Sequence, residues 1–144
     1  MNTNFVQNRA EVIERLKQAG VTPTQQRVEI AQILFARSQH VSAEQVLAIV
    51  NAQSALVSKA TVYNTLGLFA DKGLLKEVIV DPSKVFYDSN TSEHHHFYNV
   101  DTGELTDIEA DSVNLTSLPS LPDGTVAEGV DVIIRLRHRN PISS

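Results

Sequence analysis

Val41-Ser42-Ala43-Glu44-Gln45-Val46 and Val57-Ser58-Lys59-Ala60-Thr61-Val62 are two copies of one helix-start signal. In each, Ser is a good N-cap and the flanking Val residues occupy the two positions of a hydrophobic staple. Gln45 also completes a capping box with Ser42. The first copy predicts a helix from Ala43 to about Ala52, the second a helix from Lys59 to Gly73, with a break around residues 53–57. Two helices separated by a short break form a helix-turn-helix. The hydrophobic period then changes. Leu74–Val80 reads as a strand, Asp81-Pro82-Ser83-Lys84 as a turn with Asp at its first and Pro at its second position, and Val85–Asp88 as the return strand. A helix-turn-helix followed by a β-hairpin is a winged helix.

Working outward, Phe5, Val12, Ile13, Leu16 and Ala19 form a helical stripe that Gly20 can terminate. Thr24 can cap a second helix with Val28, Ala31, Leu34 and Phe35 on its apolar side. On the other flank, Ser89-Asn90-Thr91-Ser92 has the composition of a linker. Residues His94–Val100 and Glu104–Ile108, joined by Asp101-Thr102-Gly103, read as a strand hairpin. Glu109–Leu118 reads as a weak helix ended by Pro119 and Pro122. Val130, Val132, Ile134 and Leu136 alternate with other residues as in a half-buried strand. The expected fold is α+β: a winged helix-turn-helix domain at 1–88 and a small α/β dimerisation domain at 89–144. The second unit is small for independent stability, which predicts a homodimer.

The 144 residues contain no cysteine, which removes disulfides, thiolate zinc sites and thiol-based oxidation sensing together. Any metal must be held by His, Asp, Glu or backbone. No apolar run reaches membrane-spanning length and the N-terminus lacks signal-peptide character, so a soluble, cytoplasmic protein with no membrane partner is expected. The net charge of -5 is unevenly spread: residues 1–80 carry +2, residues 81–134 carry -10 and residues 135–144 carry +3. A nucleic acid would have to meet the first part, because the second repels phosphate and favours cations.

The acidic part holds Glu93-His94-His95-His96. On a strand, His94 and His96 share one face and His95 takes the other. Two imidazoles so placed are half of a metal site, with Asp88 upstream and Asp107 downstream. In the first part, the helix from Lys59 to Lys72 is the one that would enter a major groove of double-stranded DNA. With Val62, Leu66 and Phe69 turned inward, Lys59, Thr61, Tyr63, Asn64 and Thr65 are the residues expected to face bases and phosphates. Arg27 at the start of the second helix, Lys84 at the wing tip and Lys76 at its base are candidate phosphate contacts. Dimerisation would double these contacts and read a palindromic operator.

Several motifs together resemble the ferric uptake regulator family: Thr22-Pro23-Thr24-Gln25-Gln26-Arg27, His40 with Ser42-Ala43-Glu44, Ala60-Thr61-Val62-Tyr63-Asn64-Thr65-Leu66, and Gly73-Leu74-Leu75 ahead of a wing and a His-rich stretch. The resemblance runs to about Arg137. It implies a metal-responsive, DNA-binding transcriptional regulator of iron homeostasis. It also implies a regulatory site made of His40, Asp88, His94, His96 and Asp107, a donor set that suits Fe²⁺, Mn²⁺ or Zn²⁺. Many members carry a structural zinc on Cys-x-x-Cys pairs, the first of which would fall at Asn99 and Thr102, so this chain cannot have that site. The triple histidine followed by Phe97, with Ser83-Lys84-Val85-Phe86-Tyr87-Asp88 before it, resembles the iron response regulator branch. That likeness implies haem as effector, with His94, His95 and His96 taking part. His95 is the freer axial ligand, and haem would lower DNA affinity. His138 is a further candidate ligand, set among Arg135, Arg137 and Arg139. The alternatives are an inorganic Fe-, Mn- or Zn-sensing repressor without haem control, a winged-helix adaptor that binds no metal, and a non-haem iron enzyme built on His-x-His plus a carboxylate.

Overall fold

The computed structural model describes residues 8–54 and 57–139. The expected contribution of Phe5 to the first helix, and residues 55 and 56 of the expected interhelical break, lie outside them. The chain divides into two compact units, Met1–Thr91 and Ser92–Ser144.

The first unit packs four helices, α1 (Arg9–Gln18), α2 (Gln25–Phe35), α3 (Ala43–Ser54) and α4 (Lys59–Asp71), against a small sheet. The caps form as expected. Thr24 accepts from the Arg27 amide and Ser58 from the Thr61 amide. Ser42 and Gln45 close a reciprocal box, with Gln45 Oε1 accepting from the Ser42 amide at 2.8 Å and Ser42 Oγ from the Gln45 amide at 3.2 Å. Val12, Leu16, Val28, Leu34, Phe35, Val46, Val62, Leu66 and Phe69 are buried in one core, with the Phe35 and Phe69 rings 6.2 Å apart. Gly73, with φ +79°, ends α4 in the left-handed region where a side chain is strained.

The sheet contains the wing, β2 (Lys76–Asp81) and β3 (Lys84–Asp88), and a strand that sequence reading does not find, β1 (His40–Val41). Their order is β1-β3-β2, all antiparallel. A two-residue strand has too little period to register in sequence. It exists because tertiary hydrogen bonds hold it. Gln39 caps the C-terminal end of α2 by donating to the Ile33 and Leu34 carbonyls. Ser89 accepts from the Gln39 amide and donates to the Arg37 carbonyl, and its own amide donates to Gln39. Ser89, read from sequence as the start of a linker, is therefore buried and tied to the first unit.

The second unit is a three-stranded sheet, β4 (His95–Asn99), β5 (Leu105–Ile108) and β6 (Ile133–Leu136), in the order β5-β4-β6. β4 and β5 form the expected antiparallel hairpin, and β6 runs parallel to β4. Two expectations are corrected. The weak helix over Glu109–Leu118 reduces to one 3₁₀ turn at Ala110–Ser112. Ser112, Val113, Asn114, Thr116 and Ser117 are poor helix formers, by β-branching or by hydrogen-bonding to nearby backbone. The strand expected over Val130–Leu136 begins only at Ile133, and Ile134 and Leu136 remain 42% and 38% exposed rather than forming a buried face.

Candidate metal centre and DNA-reading face

In the first unit, antiparallel pairing sets His40 directly opposite Asp88. Their side chains meet with Nε2 and Oδ2 3.2 Å apart. The other Asp88 oxygen accepts from the Asn90 amide at 2.9 Å, and the carboxylate is fully buried. A buried carboxylate needs a cation or donors around it, and the imidazole supplies one.

In the second unit, the β4–β5 register sets His96 opposite Asp107. His94, the residue just before β4, lies on the same side, its ring centre 4.7 Å from that of His96. Asp107 Oδ1 lies 3.2 Å from His94 Nε2 and 3.5 Å from His96 Nε2. His94 Nδ1 lies 2.7 Å from the Ser92 carbonyl oxygen. A carbonyl can only accept, so this nitrogen carries a hydrogen, and Nε2 is the ring atom turned toward the Asp107 carboxylate. Two electron-rich atoms facing each other require a proton or a metal ion between them. A carbonyl bonded to the far nitrogen is also the usual support of a metal-ligating histidine. Imidazoles with carboxylates and no thiolate form a donor set for Fe²⁺, Mn²⁺ or Zn²⁺, so the residues present fit such an ion.

His95 behaves differently. Its Nδ1 accepts the Val132 amide hydrogen at 3.0 Å, which leaves the ring hydrogen on Nε2, the atom an axial ligand would need free. This bond engages the ring of the residue expected to be the freer haem ligand. His138 is exposed, and its backbone amide donates to Asp101.

On the other face of function, Lys59, Tyr63 and Asn64 are exposed along α4 and Lys84 is exposed at the wing tip. Thr61 is half-buried, and its hydroxyl accepts from Ser58 at the helix cap. Arg27 is half-buried and donates to the Thr22 carbonyl at 2.9 Å. Lys76 is half-buried at the base of the wing. Thr65 departs from expectation: at 5% exposure it joins Val62, Leu66 and Phe69 on the buried side, because position 65 lies one turn from 62 and beside 66. A cleft of about 290 Å³ is lined by Thr24, Gln26, Arg27, Thr61, Asn64 and Thr65. Sequence reasoning missed Glu44 here, whose carboxylate accepts the Tyr63 hydroxyl; only the packing of α3 against α4 reveals that pair.

The sequence pattern described as the ferric uptake regulator family matches residues 18–119. The chain belongs to the ferric uptake regulator family. It is 33% identical over 104 residues to the peroxide-responsive repressor PerR of Staphylococcus aureus, covering 72% of this chain and 70% of that protein. Its fold is similar to that of the ferric uptake regulator from Pseudomonas aeruginosa, solved with manganese (TM-score 0.67, 24% identity, 88% of this chain and 97% of that one). It is also similar to the ferric uptake regulator of Vibrio cholerae (TM-score 0.68, 23% identity, 88% and 98%). Members of the family are metal-responsive, DNA-binding transcriptional regulators that form dimers, not enzymes, so the non-haem iron enzyme alternative falls away. No helix among the described residues is long and apolar enough to cross a membrane.

Proposed function

We propose that this family member is a repressor of iron homeostasis, acting in the cytoplasm as a homodimer on a palindromic operator. In this reading one divalent ion per chain, held by His40, Asp88, His94, His96 and Asp107, controls DNA binding. The observation that carries it is the pairing of an imidazole nitrogen with a carboxylate oxygen at His94 and Asp107, with the far ring nitrogen held by the Ser92 carbonyl, and with His40 and Asp88 as a second pair. The proposed DNA-binding domain spans residues 1–88 and the proposed sensing domain residues 89–144, with Ser89 itself still tied to the first compact unit. Exposed Leu115, Leu118, Leu121, Val126, Val130 and Ile134 support self-association of the second unit.

Two narrower readings concern the signal. The name of the Staphylococcus aureus relatives suggests a response to peroxide; without cysteine, such a response would have to act at the ion and its ligands. Haem control, and with it the iron response regulator branch, is disfavoured by the His95 bond to Val132. One experiment tests the main reading. Untagged protein should purify with one Fe, Mn or Zn per chain by elemental mass spectrometry, and a His94→Ala, His96→Ala double variant should lose it together with metal-dependent DNA binding. Full metal retention in that variant would refute the site. A Soret shift on adding haem, with loss of DNA binding, would favour haem control instead.

A further inference from the structure

Glu44 is an anion placed beside the helix expected to read DNA. It lies exposed in the first turn of α3, and its Oε2 accepts the hydroxyl hydrogen of Tyr63 on α4. Tyr63 is 38% exposed, and Lys59 Nζ stands 5.7 Å from its ring centre. Tyrosine hydroxyls at DNA interfaces commonly bond phosphate oxygens, contacts that position a protein but carry no sequence information. Here that donor is already engaged, by a group that phosphate repels. The Tyr63 oxygen can then only accept, which a phosphate cannot use, and what remains for a phosphate-independent contact is the ring, an apolar surface suited to a thymine methyl, which is a sequence-reading contact.

We propose that Glu44 is a specificity-determining residue of the DNA interface, acting through Tyr63: it withholds the hydroxyl from the phosphate backbone and aims the ring at a base. The proposal rests on the reading of α4 as the DNA-reading helix. Non-specific binding runs on backbone charge, so the carboxylate weakens it. An operator compensates through the ring contact, and scrambled DNA does not.

The contact has a signature that needs no DNA. The Tyr63 hydrogen bond holds the Glu44 carboxyl below its ordinary range, and the same bond raises the Tyr63 phenol above its own. The titratable groups facing that phenol are Glu44 on α3, Lys59 on α4 and Tyr87 on β3. The depressed carboxyl keeps the contact until pH falls through it, and the raised phenol keeps it until pH rises through it, so the pair persists across neutral pH.

The test uses the full chain loaded with manganese. The probes are a duplex enriched by the wild-type protein from a random-sequence pool and a scrambled duplex of the same composition, at one salt concentration. Glu44→Ala should lower the ratio of the two affinities about tenfold, mainly by tightening the scrambled complex, and should add about one phosphate contact to the salt dependence. In a Tyr63→Phe background the same change should lower the ratio less than about threefold, because no hydroxyl is released. Without DNA, one phenol should titrate at lower pH in Glu44→Ala than in the wild type. Parallel weakening of both duplexes with an unchanged ratio would mean that Glu44 is merely structural and would overturn the proposal. An equal fall in ratio in both backgrounds would assign the effect to charge alone and also overturn it. If the wild type enriches no duplex, the DNA reading itself fails and the inference with it.

Discussion

Ser42 shows how far one residue's chemistry carries. Its hydroxyl accepts from the Gln45 amide while the Gln45 side chain returns to the Ser42 amide, satisfying donors that helix geometry leaves orphaned at the start of α3. Ser42→Ala should therefore cost about 1 kcal/mol of stability in urea unfolding. Gly should cost only a few tenths, since it suits the same backbone position. The bond is local, and so it was legible from four letters of sequence. Thr65 was not legible in this way. A threonine suits either an exposed or a buried helical position, and its burial beside Val62 and Leu66 depends on how far the apolar side of α4 wraps around the helix.

Among the elements, the β4–β5 hairpin is the informative case. The chain ties this turn with hydrogen bonds. Asn99 Oδ1 accepts from the Asp101 amide at 2.9 Å and the Thr102 amide at 3.1 Å. The Gly103 amide donates to the Asn99 carbonyl at 2.7 Å, with Gly103 at φ +75°. Asn side chains favour this local arrangement. It sets the register that places Asp107 opposite His96, so the turn matters to the proposed metal centre as well as to the strands. Asn99→Ala should cost about 1 kcal/mol by loss of these bonds. It should also weaken metal affinity, read by competition with a chelating dye; an unchanged affinity would show that the register survives without them.

For the molecule as a whole, the charge division suits the two proposed tasks, with +2 on residues 1–80 and -10 on residues 81–134. Phosphate is tolerated by the first and divalent cations are attracted by the second. A native-state ion should stabilise the fold by mass action, by roughly 2.7 kcal/mol at one hundred times the dissociation constant. Thermal unfolding with and without manganese should show that gain in the wild type and lose it in His96→Ala. The gain should also shrink in acid, because imidazoles bind metal only when neutral and protons compete for them.

The sequence by itself determined the helix starts, the wing, the β4–β5 hairpin and the placing of His94 and His96 on one side of the chain, His94 just ahead of the strand. Each rests on interactions between residues a few positions apart, where caps, turns and alternation act. Only tertiary structure decided the β1 strand that sets His40 against Asp88, the burial of Ser89 and Thr65, the Val132 bond that engages His95 and the hold of Glu44 on Tyr63. Those join residues between 19 and 52 positions apart or depend on which side of a helix meets the core. The energy of such contacts lies in packing and long-range pairing, which leave no periodic trace in the chain.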